Sequence, residues 1–415
     1  MQLDGAWARA WAGALAHLID SAHLATGADL SRTVDRSVGP LGLSAEVLMA
    51  DLAQQVLMPV RQEPVVGVDV EGTLAGRAYQ YGEIVRDDDR GAPQLWVPVL
   101  DGTERVGVLR IGLPGRRPSG FPDDDTLADE LWTLAGLVGH IVMSKLVHSD
   151  RLRRLRSNGL LSPGSELLWQ LVPPRTFATD RVVVSAILEP HDTVVGDAYD
   201  YSVDGDVVTL AVFDSSGHDI RAGVTSALAL TAVRNARLSG RHDLVEVAAH
   251  ADAVIADQPR PMQFSTAVLA RLDTAGGALD YLLAGHPPPL LVRDGRVVKE
   301  LTAVPRPPLG VTGPDVGPAH TAREQLEPGD RLLLYTDGVT EARDGNGEFF
   351  GERRLVELTE QAAAADLSAP ETLRRLRTAV MRHQAGRLQD DATLLLVDWA
   401  SDRHLRMFPA GRPSR

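Results

Sequence analysis

The sequence predicts an α+β protein built from two or three domains. Its 415 residues exceed the usual size of a single domain. Between residues 181 and 399, strand patterns in hairpin order alternate with grouped helical patterns, which favours a layered α+β domain over a doubly wound parallel sheet. An apolar fraction of 44% is enough for buried cores. Because aromatic residues make up only 5%, we expect these cores to consist of Val, Leu, Ala and Ile.

Composition excludes several classes of function. The chain has no cysteine, which excludes disulfides, thiol catalysis and cysteine-ligated zinc or iron–sulfur sites. A net charge of −14 argues against non-specific binding to nucleic acids or anionic membranes. The N-terminus lacks the pattern of a signal peptide, and no apolar run reaches the roughly 18 residues that suggest a membrane span. We therefore expect a cytoplasmic protein with no nucleic-acid partner and no membrane partner.

Helix and strand patterns near the N-terminus predict a separate domain. Residues 1–28 carry apolar side chains at helical spacing, beginning with Trp7 and Trp11. Several strand patterns follow, and the last two flank a turn at residues 101–103, which predicts a hairpin. This order of elements resembles that of GAF-type sensor domains. The resemblance implies an α/β sensor domain over residues 1–122, whose ligand the sequence does not identify.

A heptad-like seam of apolar residues follows this domain. Its positions are Leu127, Leu131, Leu134, Val138 and Ile141, and the same spacing continues to Lys145, His148, Leu152 and Leu155. The pattern predicts one long helix over 123–157, coiled-coil-like in character, inside a helical linker over 123–165. The seam could pack on the chain's own sensor domain, or it could pair with a second copy and form a homodimer. Beyond residue 145 the sequence favours pairing between copies.

Four acidic clusters distinguish the C-terminal half, where each follows an apolar run or lies in a glycine-containing turn. They occupy residues 194–200, 213–218, 335–341 and 390–393. Carboxylates from distant segments repel one another when they converge, and a divalent cation removes that cost. Ligation by oxygen atoms alone selects Mg²⁺, Mn²⁺ or Ca²⁺ over zinc. A cluster of this kind without a nucleotide-binding loop is typical of enzymes that hydrolyse phosphate esters.

Eight segments of the C-terminal half, in order, are similar to the bacterial SpoIIE-like branch of the PPM family of metal-dependent serine/threonine phosphatases. The matching segments are 170–173, 195–200, 213–218, 264–273, 284–289, 308–310, 328–342 and 390–393. The resemblance covers a domain at 166–400 and implies a β-sandwich of two antiparallel sheets flanked by helices. It also implies two metal ions, Mn²⁺ or Mg²⁺, at one edge of the sandwich.

The resemblance also implies roles for particular residues. Asp197 would bind one ion, and Asp214 would bridge both ions with help from the carbonyl of Ser215. The spacing of Asp197 and Asp214 suits adjacent strands joined by a hairpin around residues 204–206. Glycines flank these acids, where the backbone must approach the ions closely.

Two further segments would complete the second metal site. Asp337 and Asp390 are the implied ligands, so the four catalytic acids are Asp197, Asp214, Asp337 and Asp390. Asp391 would either orient Asp390 or bind a further ion. His286 is more simply a residue that fixes a turn, and His218 either fixes local structure or donates a proton to the leaving serine oxygen.

The chain departs from the family pattern at two positions. Val195 stands where the family usually has glycine, and Asp219 stands where it usually has another glycine. Asp219 would either cap the helix that begins at Ile220 or change the metal edge. These departures motivate an alternative function, a sensor or scaffold protein whose phosphatase fold has weakened turnover.

The favoured function is that of a protein serine/threonine phosphatase under control of the N-terminal sensor. The family's usual substrate implies a phosphorylated STAS-type protein that antagonises an anti-sigma factor. A metal-dependent nuclease shares the carboxylate chemistry but fits poorly with the net charge of −14. Residues 401–415 are rich in Arg, Pro and Ser and are predicted to be a disordered tail.

Overall fold

The structure is a computed structural model that describes residues 4–61, 66–88, 92–157, 163–191, 196–217, 219–258, 263–313, 319–386 and 388–407. These residues form two compact units. One is drawn from residues 4–157 and 405–407, and the other from residues 163–404.

The N-terminal unit is a single antiparallel sheet with helices on both faces. Its elements are α1 (Asp4–Leu24), α2 (Leu30–Val38), the 3-10 helix η1 (Gly39–Leu41), β1 (Ser44–Ala50), β2 (Val56–Pro59), β3 (Val68–Asp69), α3 (Leu74–Tyr81), β4 (Val85–Asp87), β5 (Gln94–Asp101), β6 (Glu104–Gly112), α4 (Asp124–Leu146) and α5 (Asp150–Ser157). The strand order is β3-β2-β1-β6-β5-β4. The α/β character expected for this region is confirmed, as are the helix near the N-terminus and the hairpin of β5 and β6.

Successive side chains of β1 point to opposite faces of the sheet and belong to different cores, so both faces are covered. Val47 belongs to the core shared with α1, α2 and α4, whereas the next residue, Leu48, belongs to the core shared with α3. Gly139 of α4 lies where a Cβ atom would come within 2.0 Å of the Leu100 carbonyl oxygen. The glycine therefore allows α4 to lie close against β5.

The prediction of one continuous helix over 123–157 is wrong. The chain forms α4 and α5, which are bent by 106° at the break between Leu146 and Asp150. Seam residues on α4 and Leu152 on α5 share the core of the N-terminal unit. Lys145 donates a hydrogen bond from Nζ to the carbonyl oxygen of His23 at 3.0 Å. The apolar seam residues from Leu127 to Ile141, and Leu152, are thus buried inside one chain, whereas His148 is exposed. The homodimer through this region stays a prediction.

The second unit is a sandwich of two antiparallel sheets. Its elements are α6 (Pro163–Leu171), β7 (Thr176–Ala178), β8 (Val182–Glu189), β9 (Asp197–Asp204), β10 (Val207–Ser215), α7 (Ile220–Leu238), α8 (Leu244–Ala256), β11 (Ser265–Asp273), β12 (Ala278–Ala284), β13 (Leu290–Arg293), β14 (Arg296–Glu300), β15 (Ala322–Gln325), β16 (Arg331–Tyr335), α9 (Asp337–Thr340), α10 (Glu352–Ala364), α11 (Ala369–His383), β17 (Ala392–Trp399) and the 3-10 helix η2 (Asp402–Met407).

Two layers of strands and two pairs of helices make up this sandwich. One sheet has the order β15-β12-β11-β10-β9, and the other has the order β14-β13-β16-β17-β8-β7. Helices α7 and α8 pack on the first sheet, and α11, with α10 beside it, packs on the second. The predicted β-sandwich flanked by helices is therefore confirmed.

Some elements departed from their sequence patterns. Strand β14 is largely exposed and polar, so its residues lack the apolar alternation that marks a strand. Helix η2 lies inside the stretch predicted to be a disordered tail, and residues 408–415 lie outside the described residues. In the described part of the chain, no single helix is long and apolar enough to cross a membrane. Helices α4 and α5 meet that length and composition criterion only as a bent pair.

Replacing Leu152 with alanine should destabilise the N-terminal unit by about 3 kcal/mol, because the side chain is fully buried and its loss leaves a cavity. Urea denaturation followed by tryptophan fluorescence measures this change. Val147→Ala, at a position that is 61% exposed, is the control and should change stability little. A loss of stability that depends on protein concentration would instead indicate a seam between two copies.

Candidate active site

Strands β9 and β10 bring the first two predicted acids together. Their hairpin turns through Gly205, which has a positive φ of 58°. The register places Asp214 directly opposite Asp197 at the edge of the sheet. Asp197 is buried, with 2% of its surface exposed. Like charges in directly opposed positions repel, so this pair is costly unless something compensates it.

Asp197 is held by a residue from the other sheet. Thr336, which follows β16, donates a hydrogen bond from Oγ1 to Asp197 Oδ2 at 2.8 Å. The same hydroxyl accepts a bond from the backbone N–H of Thr393 at 2.9 Å. Thr336 therefore links the two sheets at the edge where Asp197 lies. No local sequence pattern indicates this contact.

Asp391 fixes the start of β9. Its Oδ1 accepts the backbone N–H of His191 at 2.6 Å, and its Oδ2 accepts the backbone N–H of Gly196. Asp390 Oδ1 accepts the backbone N–H of Asp391 at 2.9 Å. These contacts favour a positioning role for Asp391 over the binding of a further ion. The segment that Asp391 positions leads into Asp197, whereas the predicted target was Asp390.

Asp337 reaches the same edge at the start of α9, immediately after β16. A Cβ atom at Gly338 would lie 1.9 Å from the carbonyl oxygen of Asp391 and 3.4 Å from Cβ of Asp390. Only glycine permits this approach. The short α9 helix can therefore lie directly against the segment that carries the last two predicted acids.

Ser215 is buried beside Gly196, the residue that precedes β9. Its carbonyl oxygen would be 3.2 Å from a Cβ atom at Gly196. Its hydroxyl lies 2.6 Å from that of Ser226 on α7, and Ser226 in turn donates to the carbonyl oxygen of Gly196. Ser226 is a second positioning residue that the sequence analysis missed.

The acids share one electrostatic environment. Burial raises the pKa of Asp214 to about 8, with further contributions from Asp337, Asp390 and Asp391. Burial, followed by the charges of Asp214 and Asp391, raises the pKa of Asp197 well above its usual value. Burial and the charge of Asp390 raise the pKa of Asp337. The structure therefore brings together all the predicted acids within electrostatic range.

The donor set fits hard divalent ions. Carboxylate and backbone carbonyl oxygens gather at this edge, and the acids raise one another's pKa, an effect that a cation would reverse. Among the residues that the structure describes, no three acidic or histidine side chains are arranged to hold one ion. The structure thus places the acids at a common edge without defining a coordination sphere.

Neighbouring positions resolve other expectations. Asp219 caps α7, because its Oδ1 accepts the backbone N–H groups of Arg221 at 2.9 Å and Ala222 at 3.3 Å. Of the two roles predicted for Asp219, the contacts therefore show the helix cap. Val195 and His218 lie outside the described residues, so their predicted roles stay predictions.

His286 fixes the edge from inside the sandwich. Its Nε2–H donates to the carbonyl oxygen of Tyr335 at 3.1 Å, which leaves Nδ1 to accept the hydroxyl of Thr266 at 2.6 Å. The residue is buried, and burial lowers the pKa of its imidazole to about 4. The interpretation of His286 as a structural residue is consistent with these contacts, which join β11 to the end of β16.

A protein-family profile described as Stage II sporulation protein E (SpoIIE) matches residues 204–400. The C-terminal domain belongs to the SpoIIE-type PPM phosphatases. The match covers the sandwich from the turn between β9 and β10 to the residue after β17. The predicted family is therefore confirmed for this SpoIIE-type domain.

Two curated relatives and one solved structure illustrate the similarity. Protein IcfG of Synechocystis sp. is 34% identical over 141 residues, which are 32% of this chain and 20% of that protein. Phosphoserine phosphatase RsbU of Bacillus subtilis is 26% identical over 216 residues, which are 52% of this chain and 62% of that protein. The SiaA-PP2C domain of Pseudomonas aeruginosa aligns with 24% identity and a TM-score of 0.46, covering 52% of this chain and 85% of that one. The chain spans less than two thirds of the length of either curated relative.

His286→Gln should remove part of the acid sensitivity of the SpoIIE-type domain. The unfolded imidazole has a pKa near 6.5 and the folded one about 4, so protons bind the unfolded state first. The stability conferred by neutral His286 is fully present above pH 6.5 and falls by roughly 3 kcal/mol as the pH drops to 4.

Urea denaturation at pH 7.5 and pH 4, in wild type and variant, measures this difference. The expected result is a smaller loss of stability on acidification in His286→Gln, whatever the stability of the variant at pH 7.5. Equal losses in both proteins would show that His286 titrates normally in the folded state.

Proposed function

We propose that the SpoIIE-type domain is a metal-dependent phosphatase that acts on phosphoserine or phosphothreonine in a protein. The observation that carries this proposal is the directly opposed pair of Asp197 and Asp214 at one edge of the sheet. Burial, and then the charges of neighbouring acids, raise both pKa values: Asp214 and Asp391 act on Asp197, and Asp337, Asp390 and Asp391 act on Asp214. Such a group is relieved either by protonation, as the raised pKa values indicate, or by a bound cation that keeps the carboxylates charged. A family of metal-dependent phosphatases provides the matching chemistry.

We propose that Asp197, Asp214, the Ser215 carbonyl, Asp337 and Asp390 hold two Mn²⁺ or Mg²⁺ ions. Such ions, when bound, lower the pKa of a water molecule and supply hydroxide for attack on phosphorus. The protein's own residues orient the acids. Thr336 fixes the rotamer of Asp197 through its 2.8 Å bond, and Asp391 fixes the backbone immediately before it. No covalent phosphoenzyme is needed, which agrees with a chain that has no cysteine.

A phosphorylated STAS-type antagonist of an anti-sigma factor is the substrate that we propose. RsbU, a relative that aligns over 52% of this chain, is a phosphoserine phosphatase. Members of the SpoIIE-like branch usually act on such antagonists. A folded phosphoprotein also suits an edge that is formed by strand ends and a helix N-terminus, because these elements present the acids to an approaching surface.

Control by an N-terminal sensor is the second part of the proposal. The six-stranded antiparallel sheet with helices on both faces is compatible with a GAF-like sensor, predicted over residues 1–122. Helices α4 and α5 of the predicted linker over 123–165 share the core of this unit, so we propose that they belong to the sensor. The proposed catalytic domain then covers residues 166–400. Within that domain, α6 is the first element, and its contacts suggest how a signal could reach the acids.

Helix α6 is attached to the strand that carries Asp197. Arg234 of α7 donates to the carbonyl oxygen of Leu171 at 3.0 Å and also pairs with buried Asp200 of β9. The hydroxyl of Tyr199, also on β9, donates to the carbonyl oxygen of Pro173 at 3.0 Å. We propose that a displacement of α6 shifts β9 and thereby the position of Asp197.

The alternative of a weakened scaffold has lost part of its motivation. Asp219 was one of its two reasons, and its carboxylate is occupied by the first turn of α7. An acid committed to a helix cap does not compete for ions at the edge. The phosphatase therefore remains the favoured function.

Asp214→Asn should reduce Mn²⁺-dependent phosphate release by about 100-fold or more, because the central carboxylate of the proposed site is lost. Phosphate released from a phosphoserine-containing STAS-type protein is the measurement. Asp206→Asn is the matched control, since Asp206 lies at the other end of the same hairpin, with an exposed side chain paired to Arg181. Equal phosphate release from wild type and Asp214→Asn would contradict the proposed function.

Thr336→Val should weaken Mn²⁺ binding by about 10- to 100-fold, because Asp197 loses its orienting hydrogen bond. Thr336→Ser keeps the hydroxyl and should restore most of the affinity. Isothermal titration with Mn²⁺ provides a readout that does not depend on turnover. If valine and serine variants bind Mn²⁺ equally, the hydroxyl does not position Asp197.

A further inference from the structure

A recess of about 30 Å³ lies between the first sheet of the SpoIIE-type domain and helices α7 and α8. Its polar lining consists of Thr209, Arg237, Arg241, His242 and Arg271, and none of the described residues that line it is acidic. Thr209 and Arg271 are directly opposed on β10 and β11. Thr209 and Arg271 lie near the end of these strands that is away from Asp214, and they form the inner wall of the recess.

Two polar atoms of this wall are buried without a partner in the described part of the chain. They are Thr209 Oγ1 and Arg271 Nε. A buried polar group that lacks a hydrogen bond costs about 1–3 kcal/mol, and more when it is charged. Arg241 and His242 lie in the exposed turn between α7 and α8, where they form the mouth of the recess.

Nearby carboxylates are already engaged elsewhere. Asp280, opposite Arg271 on β12, is bound through both oxygens by Arg323 at 2.6 and 3.0 Å. Asp200 is paired with Arg234 and Arg237. The recess therefore retains positive charge at Arg271 and Arg241.

Asp243 caps α8, because its Oδ1 accepts two backbone N–H groups in the first turn of that helix. A water molecule would fit a recess of this size and could satisfy one of the inner atoms. Water cannot balance the charge of two guanidinium groups, whereas an anion can.

We propose that a small inorganic oxyanion, such as phosphate or sulfate, binds at the mouth of this recess with one oxygen atom entering it. Arg271 Nε donates to the anion from inside, and Thr209 supplies its hydroxyl. Arg241 donates from the mouth, with His242 beside it. The site lies at the opposite end of β10 from Asp214 and does not depend on the proposed phosphatase function.

Binding of sodium phosphate to the full-length chain without divalent ions tests this proposal, with sodium chloride at equal ionic strength as the reference. Isothermal titration and the shift in Tm are the two readouts. Phosphate should bind and raise Tm beyond the effect of chloride. Arg271→Gln and the exposed Arg241→Gln should each weaken phosphate binding by about tenfold, the loss expected for one charged hydrogen bond.

Arg353→Gln on α10 is the matched control, because it removes the same charge from a side chain that is 93% exposed on the other side of the sandwich. It should bind phosphate like the wild type. Thr209→Val keeps the shape of the side chain and should also weaken binding. If phosphate acts no differently from chloride, or binds Arg271→Gln as tightly as the wild type, the recess holds only water and the proposal is wrong.

Discussion

Repulsion between two neighbouring carboxylates, one buried and one partly buried, is the constraint around which the C-terminal domain is organised. Asp197 and Asp214 occupy directly opposed positions on neighbouring strands, where the backbone register leaves them little room to separate. Burial strengthens their repulsion because it removes the water that would screen them. A structure that keeps such a pair must hold it from outside, and both sheets contribute to that support. Thr336 donates to Asp197 from the end of β16, and Asp391 holds the backbone before β9.

The same edge is also where the two sheets are joined. His286 links Thr266 on the first sheet to Tyr335 on the second, one residue before Thr336. At Gly338 the backbone of α9 approaches Asp391 so closely that no side chain could fit between them. These contacts are short and largely buried, so they define positions better than flexible surface contacts would. Neutral groups therefore share with Asp391 the positioning of this edge, while the acids supply its charge.

The N-terminal unit shows how an apolar seam can be used within a single chain. The heptad-like spacing from Leu127 onward suits both a coiled coil and a helix packed on a sheet, because both need one apolar stripe. The bend after Leu146 decides between them, since it returns Leu152 to the core that already holds Leu131. In a pattern of this kind, only the three-dimensional course of the chain distinguishes an internal core from an interface.

The sequence alone determined the family of the C-terminal domain, its sandwich architecture and the acids at its edge. The family and the sandwich follow from the resemblance of eight ordered segments to SpoIIE-like phosphatases, and the acids lie in local motifs such as the glycine and aspartate at 196 and 197. It did not determine the partners of those acids. Thr336 and Ser226 contact residues 139 and 30 positions away, and nothing in their neighbouring sequence marks these contacts. The break between α4 and α5 and the uncompensated arginines near Thr209 likewise follow from tertiary packing, because burial and charge balance depend on which distant residues meet.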